Sequence, residues 1–338
     1  MRVLLDAMGG DHAPAAPVEA AVRAMEAFPD LEVTLVGEGE AIARHLARVG
    51  GRGRRPEVVE ARGAIAPDES PVEALREKPD ASLPLSVRML RDGHADALVS
   101  AGSTGAMMAA AALHIGLLPG VSRPALGAPL PMPGGGQVLL MDVGAHMDAR
   151  PEVLVQYAVM GSLYLERVRG VVRPRVGLLN VGTEPGKGNR LVRAAHKLIA
   201  AAGLNFVGNV EARDIYSGAA DLLVCDGFAG NLLLKGLEGL GLTIRDSLKR
   251  ELGRDLRGRL GALLVYPALR RLSRTLDYNA TGGVPLFGPS KVIVKCHGAS
   301  RATALTNGLG VAVDAVRSGM MARMAEALAG AHARLGEA

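Results

Sequence analysis

The sequence is poor in aromatic residues. None of its 338 residues is tryptophan, and aromatic residues together make up only 3% of the chain. Proteins that hold single-stranded nucleic acids stack the bases on aromatic side chains. The net charge of +5 therefore does not indicate a nucleic-acid surface. It favours instead an acidic partner, such as an acidic protein or an anionic lipid.

Cysteine and long apolar runs are also scarce. The two cysteines, Cys225 and Cys296, lack the spacing of a metal site, so no metal is expected. The longest apolar run, near residues 106–118, is interrupted by His114 and falls short of the about 20 residues that a membrane-spanning helix needs. No charged and then apolar N-terminal segment indicates secretion. We therefore expect a cytoplasmic protein without a membrane span.

Apolar strands alternate with helical segments along most of the chain, which predicts an α/β fold. We expect residues 1–338 to form a single catalytic domain. A helical excursion at about 236–276 interrupts the alternation, with two helices separated by residues 253–261. Five predicted strands end in glycine-containing turns. In a doubly wound sheet such ends lie at one edge, where ligands bind, so these turns are predicted to share one site.

The most informative turn lies in RVGLLNVGTEPGKGNRL, residues 175–191. A buried strand is followed by three closely spaced glycines and then by helical spacing. Glycine lets the backbone approach an anion, and the helix N-terminus and Lys187 add positive charge. The pattern is one residue shorter than a P-loop, and Gly188 stands where a serine or threonine would hold Mg²⁺. The predicted ligand is phosphate without a nucleotide-bound metal, although an ordinary turn with a solvated lysine explains this loop equally well.

The usual protein nucleophiles are missing. There is no Gly-x-Ser-x-Gly elbow, no HExxH motif and no cysteine at a convincing helix N-terminus. This favours a nucleophile that comes from the substrate. Inorganic phosphate is anionic at neutral pH, and a thioester suits it as electrophile because a thiol with a pKa of about 8.5 leaves readily. The protein would then position the reactants and stabilise an oxyanion.

Six segments together resemble the phosphate acyltransferases of bacterial phospholipid synthesis. They are DAMGGDHAP from Asp6, VSAGSTGA from Val99, DVGAHMD from Asp142, LNVGTEPGKGN from Leu179, VCDGFAGN from Val224 and DYNATGG from Asp277. The resemblance covers nearly the whole chain. It implies a three-layer α/β/α sandwich similar to the isocitrate/isopropylmalate dehydrogenases and the phosphotransacetylases. It also implies conversion of acyl-[acyl carrier protein] and inorganic phosphate to acyl phosphate and free carrier protein, without a cofactor.

By the same resemblance, Lys187 and Asn231 are the catalytic pair. We hypothesise that Lys187 binds and orients phosphate, while the Asn231 amide donates to the thioester carbonyl oxygen as it becomes an oxyanion. Ser103 and His146 depart from the family, which usually has asparagine there, and residues 78–82 differ as well. The expected substrate- and phosphate-binding residues are Asp6, Gly9, Gly10, Ser100, Gly102, Ser103, Thr104, Gly105, Asp142, Asn180, Gly182, Glu184, Gly186, Asn189, Asp226, Gly227 and Gly230.

The expected partners are acyl carrier protein, inorganic phosphate and a second copy of the chain. The resemblance also implies contact with the inner membrane surface and with the downstream membrane glycerol-phosphate acyltransferase. The segment from Leu256 to Leu272 mixes apolar residues with arginines. It fits a helical hairpin buried in a dimer interface, or a basic amphipathic edge touching anionic lipid.

Three alternatives remain open. A phosphotransacetylase acting on acyl-CoA would share the chemistry and a similar fold. An isocitrate-type dehydrogenase would need a nicotinamide site and a carboxylate metal cluster, and the sequence has neither. A non-catalytic scaffold would bind the carrier protein without phosphate-dependent turnover.

Overall fold

The structure is a computed structural model that describes residues 1–49, 53–275 and 282–336. Residues Asp277 to Thr281 of the DYNATGG segment lie outside the described residues. The strands are β1 (Arg2–Asp6), β2 (Glu32–Gly37), β3 (Glu57–Glu60), β4 (Ala97–Ser100), β5 (Ala125–Pro131), β6 (Gln137–Met141), β7 (Val176–Asn180), β8 (Phe206–Glu211), β9 (Leu222–Val224), β10 (Val284–Phe287) and β11 (Val292–Lys295). The helices are α1 (Ala15–Ala27), α2 (Gly39–Val49), α3 (Pro71–Glu77), α4 (Ser82–Arg91), α5 (Thr104–Ala110), α6 (Pro151–Arg167), α7 (Arg190–Ala201), α8 (Gly227–Gly253), α9 (Leu256–Thr275), α10 (Ala302–Arg317) and α11 (Met320–Gly336).

The described strands join in one sheet with the order β3-β2-β1-β4-β11-β10-β5-β6-β9-β7-β8. The five strands from β3 to β11 are parallel to one another, and so are the four strands from β6 to β8. Between these halves, β10 pairs antiparallel with β11 and β5, and β5 pairs antiparallel with β6. Three reversals separate the halves, so β1 and β4 run opposite to β6, β7 and β9.

This topology corrects one expectation from the sequence. The five glycine-containing turns do not share one edge of the sheet, because the strands before them run in opposite directions in the two halves. The turns after β1 and β4 lie at one edge, and those after β6, β9 and β7 lie at the other. The antiparallel strands β5 and β10 cause the reversal, and neither was recognised in the sequence.

Helices cover both faces of the sheet, which gives the expected three layers. On the first face, one apolar core joins both halves of the sheet to α1, α2, α6, α7, α10 and α11. On the second face, α3, α4 and α5 cover the first half and α8 covers the other. Leu126 of β5 borders both cores of this second face. Strands such as Val3–Leu5 are apolar on every residue because they are buried on both sides.

The helical excursion forms a hairpin in which α8 packs against α9. The sequence placed the start of the first helix at Leu232, but α8 begins at Gly227, so most of DGFAGN forms its first turns. The predicted break at residues 253–261 shrinks to residues 254–255. None of the helices in the described ranges combines the length and apolar character needed to cross a membrane.

Candidate active site

Three polar side chains form a row across the first half of the sheet, on its second face. They are Asp6, Ser100 and Lys295, each the last residue of its strand. Ser100 pairs with Lys295 in register, and Leu5 pairs with Val99. The Ser100 hydroxyl donates to Asp6 Oδ2 at 2.6 Å and accepts from the Gly102 amide at 2.9 Å. The row therefore ties the turn after β1 to the turn after β4.

Glycine is required where these two turns meet. A Cβ on Gly9 would lie 2.5 Å from Asp6 Oδ2 and 2.7 Å from the Gly102 nitrogen. Gly10 has φ +95°, and a Cβ there would lie 2.9 Å from the Gly298 carbonyl oxygen. The close approach of the backbones explains the glycine pair in MGGDHAP.

Lys295 was not recognised in the sequence as part of a site. Its ammonium donates to the Gly102 carbonyl oxygen at 2.6 Å. Burial lowers the pKa of Lys295 to about 8, although the charges of Asp6 and Asp11 oppose that shift. Lys295 joins the cluster because it lies beside Ser100 in the sheet. In the sequence, a lysine at the end of a strand does not by itself indicate a functional site.

The remaining residues of the AGSTG turn mainly support the local fold. The Ser103 hydroxyl accepts from the Ala106 amide at 3.4 Å and caps α5. Thr104 begins α5 and is half-buried. A Cβ on Gly105 would lie 2.9 Å from Pro71 Cγ, so this glycine lets α3 pack against α5.

A second cluster lies at the other edge of the sheet, around Asp142. Its carboxylate is fully buried and accepts from several backbone amides, which include those of Leu126 at 3.0 Å, Ala145 at 3.0 Å and His146 at 2.7 Å. Burial raises the pKa of Asp142, and the backbone hydrogen bonds partly offset that rise. Asp142 thus holds the turn from Gly144 to His146 in place, with the His146 backbone amide as one of its donors.

The start of α8 packs directly on this turn. The Asp226 carboxylate caps the helix by accepting from the Ala229 amide at 2.7 Å, and the Gly227 amide donates to the His146 carbonyl oxygen at 3.0 Å. A Cβ on Gly227 would lie 2.7 Å from Asp142 Oδ2. A Cβ on Gly144 would lie 3.5 Å from Asn231 Cγ, so the Asn231 amide lies beside that turn.

The Lys187 loop follows β7, at the same edge. The Asn180 amide donates to the Lys187 carbonyl oxygen at 3.1 Å, and Asn180 Oδ1 accepts from the Val181 amide at 2.8 Å. Gly188 has φ +91°, and a Cβ there would lie 2.4 Å from Asn180 Oδ1. The Lys187 side chain is exposed, and no ion pair with another described residue engages its ammonium. Its charge is available to an anion.

Other predicted residues of this loop have separate roles. Asn189 caps α7 by accepting from the Val192 amide at 2.9 Å. A Cβ on Gly182 would lie 2.9 Å from Lys187 Cγ and 3.0 Å from Glu184 Oε2, so both side chains pass close to Gly182. Gly186 has nothing within 4 Å of its Cβ position, so packing does not require glycine there.

The structure thus divides the predicted residues into two clusters, and α8 connects them. Strand β9 lies between β6 and β7, so the Asp142 turn, the start of α8 and the Lys187 loop are neighbours. Asn231, Lys235 and Glu238 share one face of α8 by helical spacing. His297 follows β11 at the first cluster, and burial lowers its pKa. The charges of Lys235 and Glu238 on α8 also affect the His297 pKa, so α8 lies near this cluster as well.

Neither cysteine has the properties of a nucleophile. The Cys225 thiol is buried and donates to the Asp142 carbonyl oxygen at 3.3 Å, and burial raises its pKa well above the ordinary value. Burial also raises the pKa of Cys296 to about 12. Both thiols therefore stay protonated near neutral pH. Across the described ranges, no group of three or more histidine, cysteine or acidic residues is arranged to hold a metal ion.

Comparison with known proteins identifies the family. The sequence model described as "Fatty acid synthesis protein" matches residues 1–323. A phosphate acyltransferase of Brevibacillus brevis is 50% identical over 309 residues, which are 91% of this chain and 92% of that protein. The chain belongs to the phosphate acyltransferase family. A second phosphate acyltransferase, from Heliobacterium modesticaldum, is 48% identical over 332 residues, or 98% of each chain.

Solved structures agree with the fold expected of a phosphate acyltransferase. The EutD phosphotransacetylase from Staphylococcus aureus matches with a TM-score of 0.61 and 18% identity, over 94% of each chain. A 4-hydroxythreonine-4-phosphate dehydrogenase from Klebsiella pneumoniae matches with a TM-score of 0.51 and 14% identity, over 92% of this chain and 99% of the other. The predicted likeness to phosphotransacetylases and to dehydrogenases is confirmed at the level of the fold.

Proposed function

We propose that this protein transfers an acyl group from acyl carrier protein to inorganic phosphate, which yields acyl phosphate for phosphatidic acid and phospholipid synthesis. A phosphate oxygen forms a bond to the thioester carbonyl carbon, the carbon–sulfur bond breaks, and the carrier thiolate takes up a proton. Membership of the phosphate acyltransferase family supports this reaction. The structural observation that carries it is the placement of Lys187 and Asn231 after adjacent strands at one edge of the sheet.

Lys187 supplies the charge that binds and orients phosphate. Its side chain is exposed and its backbone is held by Asn180. Because no described carboxylate forms an ion pair with this ammonium, its charge can attract an anion. Phosphate arrives already ionised, so this step needs no protein base.

Asn231 supplies a hydrogen-bond donor to the reacting carbonyl. It lies in the second turn of α8, a rigid element whose start is fixed by Asp226 and by the close packing of Gly227 and Gly230 on the Asp142 turn. A donor that is fixed before the reaction stabilises a developing oxyanion without reorganisation. The amide therefore lowers the barrier for phosphate attack on the thioester.

The α8–α9 hairpin supports the proposed contacts with a second subunit and with the membrane surface. Nine basic and three acidic residues lie between positions 241 and 275, a net +6, so the rest of the chain carries −1. Leu256 and Leu264 on α9 are 77% and 84% exposed. A basic surface with exposed apolar residues fits a second subunit of a homodimer and an anionic membrane surface. We assign both contacts to this hairpin. The proposed enzyme is cytoplasmic and attached peripherally to the membrane, and this attachment would bring the enzyme near the membrane glycerol-phosphate acyltransferase.

Thiol release from purified acyl carrier protein tests the proposed substrate. The reaction is run with and without inorganic phosphate, and hydroxylamine traps any acyl phosphate as the hydroxamate. We expect thiol release that depends on phosphate, with one hydroxamate per thiol. Release from acyl-CoA but not from the carrier would replace the proposal with a phosphotransacetylase. Carrier binding without release from either substrate would point to a scaffold.

A further inference from the structure

Asn209, a residue not recognised in the sequence, supports the Lys187 loop from β8. It is 6% exposed and pairs in register with Leu178 of β7. Its side-chain nitrogen donates to the Glu184 carbonyl oxygen at 2.7 Å. A buried amide that reaches the backbone of a neighbouring loop fixes that loop relative to the sheet, since leaving either group unpaired is costly.

The Glu184 carbonyl that Asn209 holds is directly connected to Lys187. The Lys187 amide donates to the same oxygen at 3.1 Å. The carbonyl of Lys187 accepts from the Asn180 side chain at 3.1 Å. Both backbone polar groups of Lys187 are therefore fixed, one by the buried Asn180 and the other through the carbonyl that Asn209 holds.

His196 of α7 sets the orientation of the Asn209 amide. His196 Nδ1 lies 3.0 Å from Asn209 Oδ1. With the Asn209 oxygen facing the imidazole, its NH₂ group faces Glu184. The His196 ring packs edge-on against Phe206 with ring centroids 5.0 Å apart, which fixes the imidazole in turn. The chain of contacts runs from α7 through β8 to the Lys187 loop.

We propose that Asn209, oriented by His196, is a positioning residue that holds Lys187 where it binds phosphate. This inference rests on the proposed function. Neither side chain needs to touch substrate, because each acts through the loop backbone. A displacement of about 1 Å in a substrate-binding group is enough to lower the rate about 10²-fold. Loss of the Asn209 hydrogen bond is therefore expected to appear as weaker use of phosphate.

Asn209→Asp tests the inference with little change in shape. The carboxylate keeps an oxygen for His196 but has no N–H for the Glu184 carbonyl. The control is Asn205→Asp, because Asn205 also donates from its side chain to a backbone carbonyl, that of Arg173 at 2.9 Å, away from the Lys187 loop. We expect Asn209→Asp to raise the KM for phosphate about tenfold or more. The KM for acyl carrier protein should stay unchanged, and Asn205→Asp should change neither constant.

A double-mutant cycle separates positioning from a general loss of stability. If Asn209 acts through Lys187, Asn209→Asp adds no further phosphate defect to Lys187→Met. His196→Phe is a milder second variant that keeps a ring against Phe206, and we expect it to raise the KM for phosphate in the same direction. Should Asn209→Asp not fold, His196→Phe alone decides the question.

Equal phosphate constants in wild type, Asn209→Asp and His196→Phe would overturn the inference, and so would additive defects in the cycle. Failure of the proposed function looks different, because wild-type protein would then show no phosphate-dependent thiol release at all.

Discussion

Gly230 and the carbonyl oxygen of Asp142 are packed so closely that a Cβ built on Gly230 would lie 1.9 Å from that oxygen. The same Cβ would lie 2.8 Å from Cys225 Sγ. Gly230 is the residue before Asn231, so this contact sets the distance between α8 and the turn after β6. The position of Asn231, the proposed oxyanion donor, thus depends on residue 230 being a glycine without a side chain.

Gly230→Ala is expected to destabilise the protein and reduce its activity, because α8 must move away from Asp142 to admit the methyl group. The matched control is Gly236→Ala on the same helix, where nothing lies within 4 Å of the Cβ position. An alanine there removes the conformational penalty of a helical glycine and should stabilise the protein by about 0.5–1 kcal/mol. Urea unfolding of both variants at 25 °C measures the two free energies. Equal stability changes would contradict the account of this contact.

The buried carboxylate of Asp142 gives a second prediction. Asp142→Asn keeps the shape but turns an NH₂ group toward backbone amides that need an acceptor. The expected loss is about 1–3 kcal/mol of unfolding free energy, the cost of leaving a buried donor unpaired. Asp148→Asn serves as control, since Asp148 is exposed in the same connection between β6 and α6. Denaturant unfolding that shows the same stability for both variants would exclude the proposed role of Asp142.

Lys295 gives a prediction in pH. Its pKa is about 8 in the folded protein, below the ordinary value of 10.5. Between these two values the unfolded chain binds more protons at this residue than the folded chain, so its contribution to stability rises with pH. The contribution of Lys295 to the free energy of unfolding is complete above pH 10.5 and is lost as the pH falls through about 8. The wild-type free energy of unfolding minus that of Lys295→Met should therefore increase over this range. A difference that is flat or decreases with pH would contradict a lowered pKa.

Except for β5, β8 and β10, the strands and most helix starts could be predicted from local pattern, because those strands contain short apolar runs and several of the turns after them carry glycine. The relation between the two halves could not. It depends on β5 and β10, whose sequences, ALGAPLP and VPLF, contain proline and alternate weakly. Since these strands reverse the sheet direction, missing them placed all the glycine turns at one edge.

The candidate site was predictable to the extent that its residues lie in glycine-rich turns. Lys187 was found from its glycine-rich loop, Asn231 and the catalytic pairing came from the family resemblance, and the roles of both residues remain predictions. Asn209, His196 and Lys295 were missed because each lies within a strand or helix, or at the end of a strand without a distinctive motif. Their relation to the site depends on pairing between strands distant in the chain, such as Ser100 with Lys295, and a single sequence does not reveal that pairing.

The most direct test of the catalytic assignment is the rate of phosphate-dependent thiol release from acyl carrier protein by wild type, Lys187→Ala and Asn231→Ala. Lys197→Ala is the control, because Lys197 is an exposed lysine on the adjacent helix α7. Loss of an oxyanion donor lowers kcat about 10²–10³-fold, and we expect a fall of that size for Asn231→Ala. Lys187→Ala should mainly raise the KM for phosphate, and Lys197→Ala should behave as wild type. An unchanged kcat in Asn231→Ala, or an unchanged KM for phosphate in Lys187→Ala, would contradict the assignment.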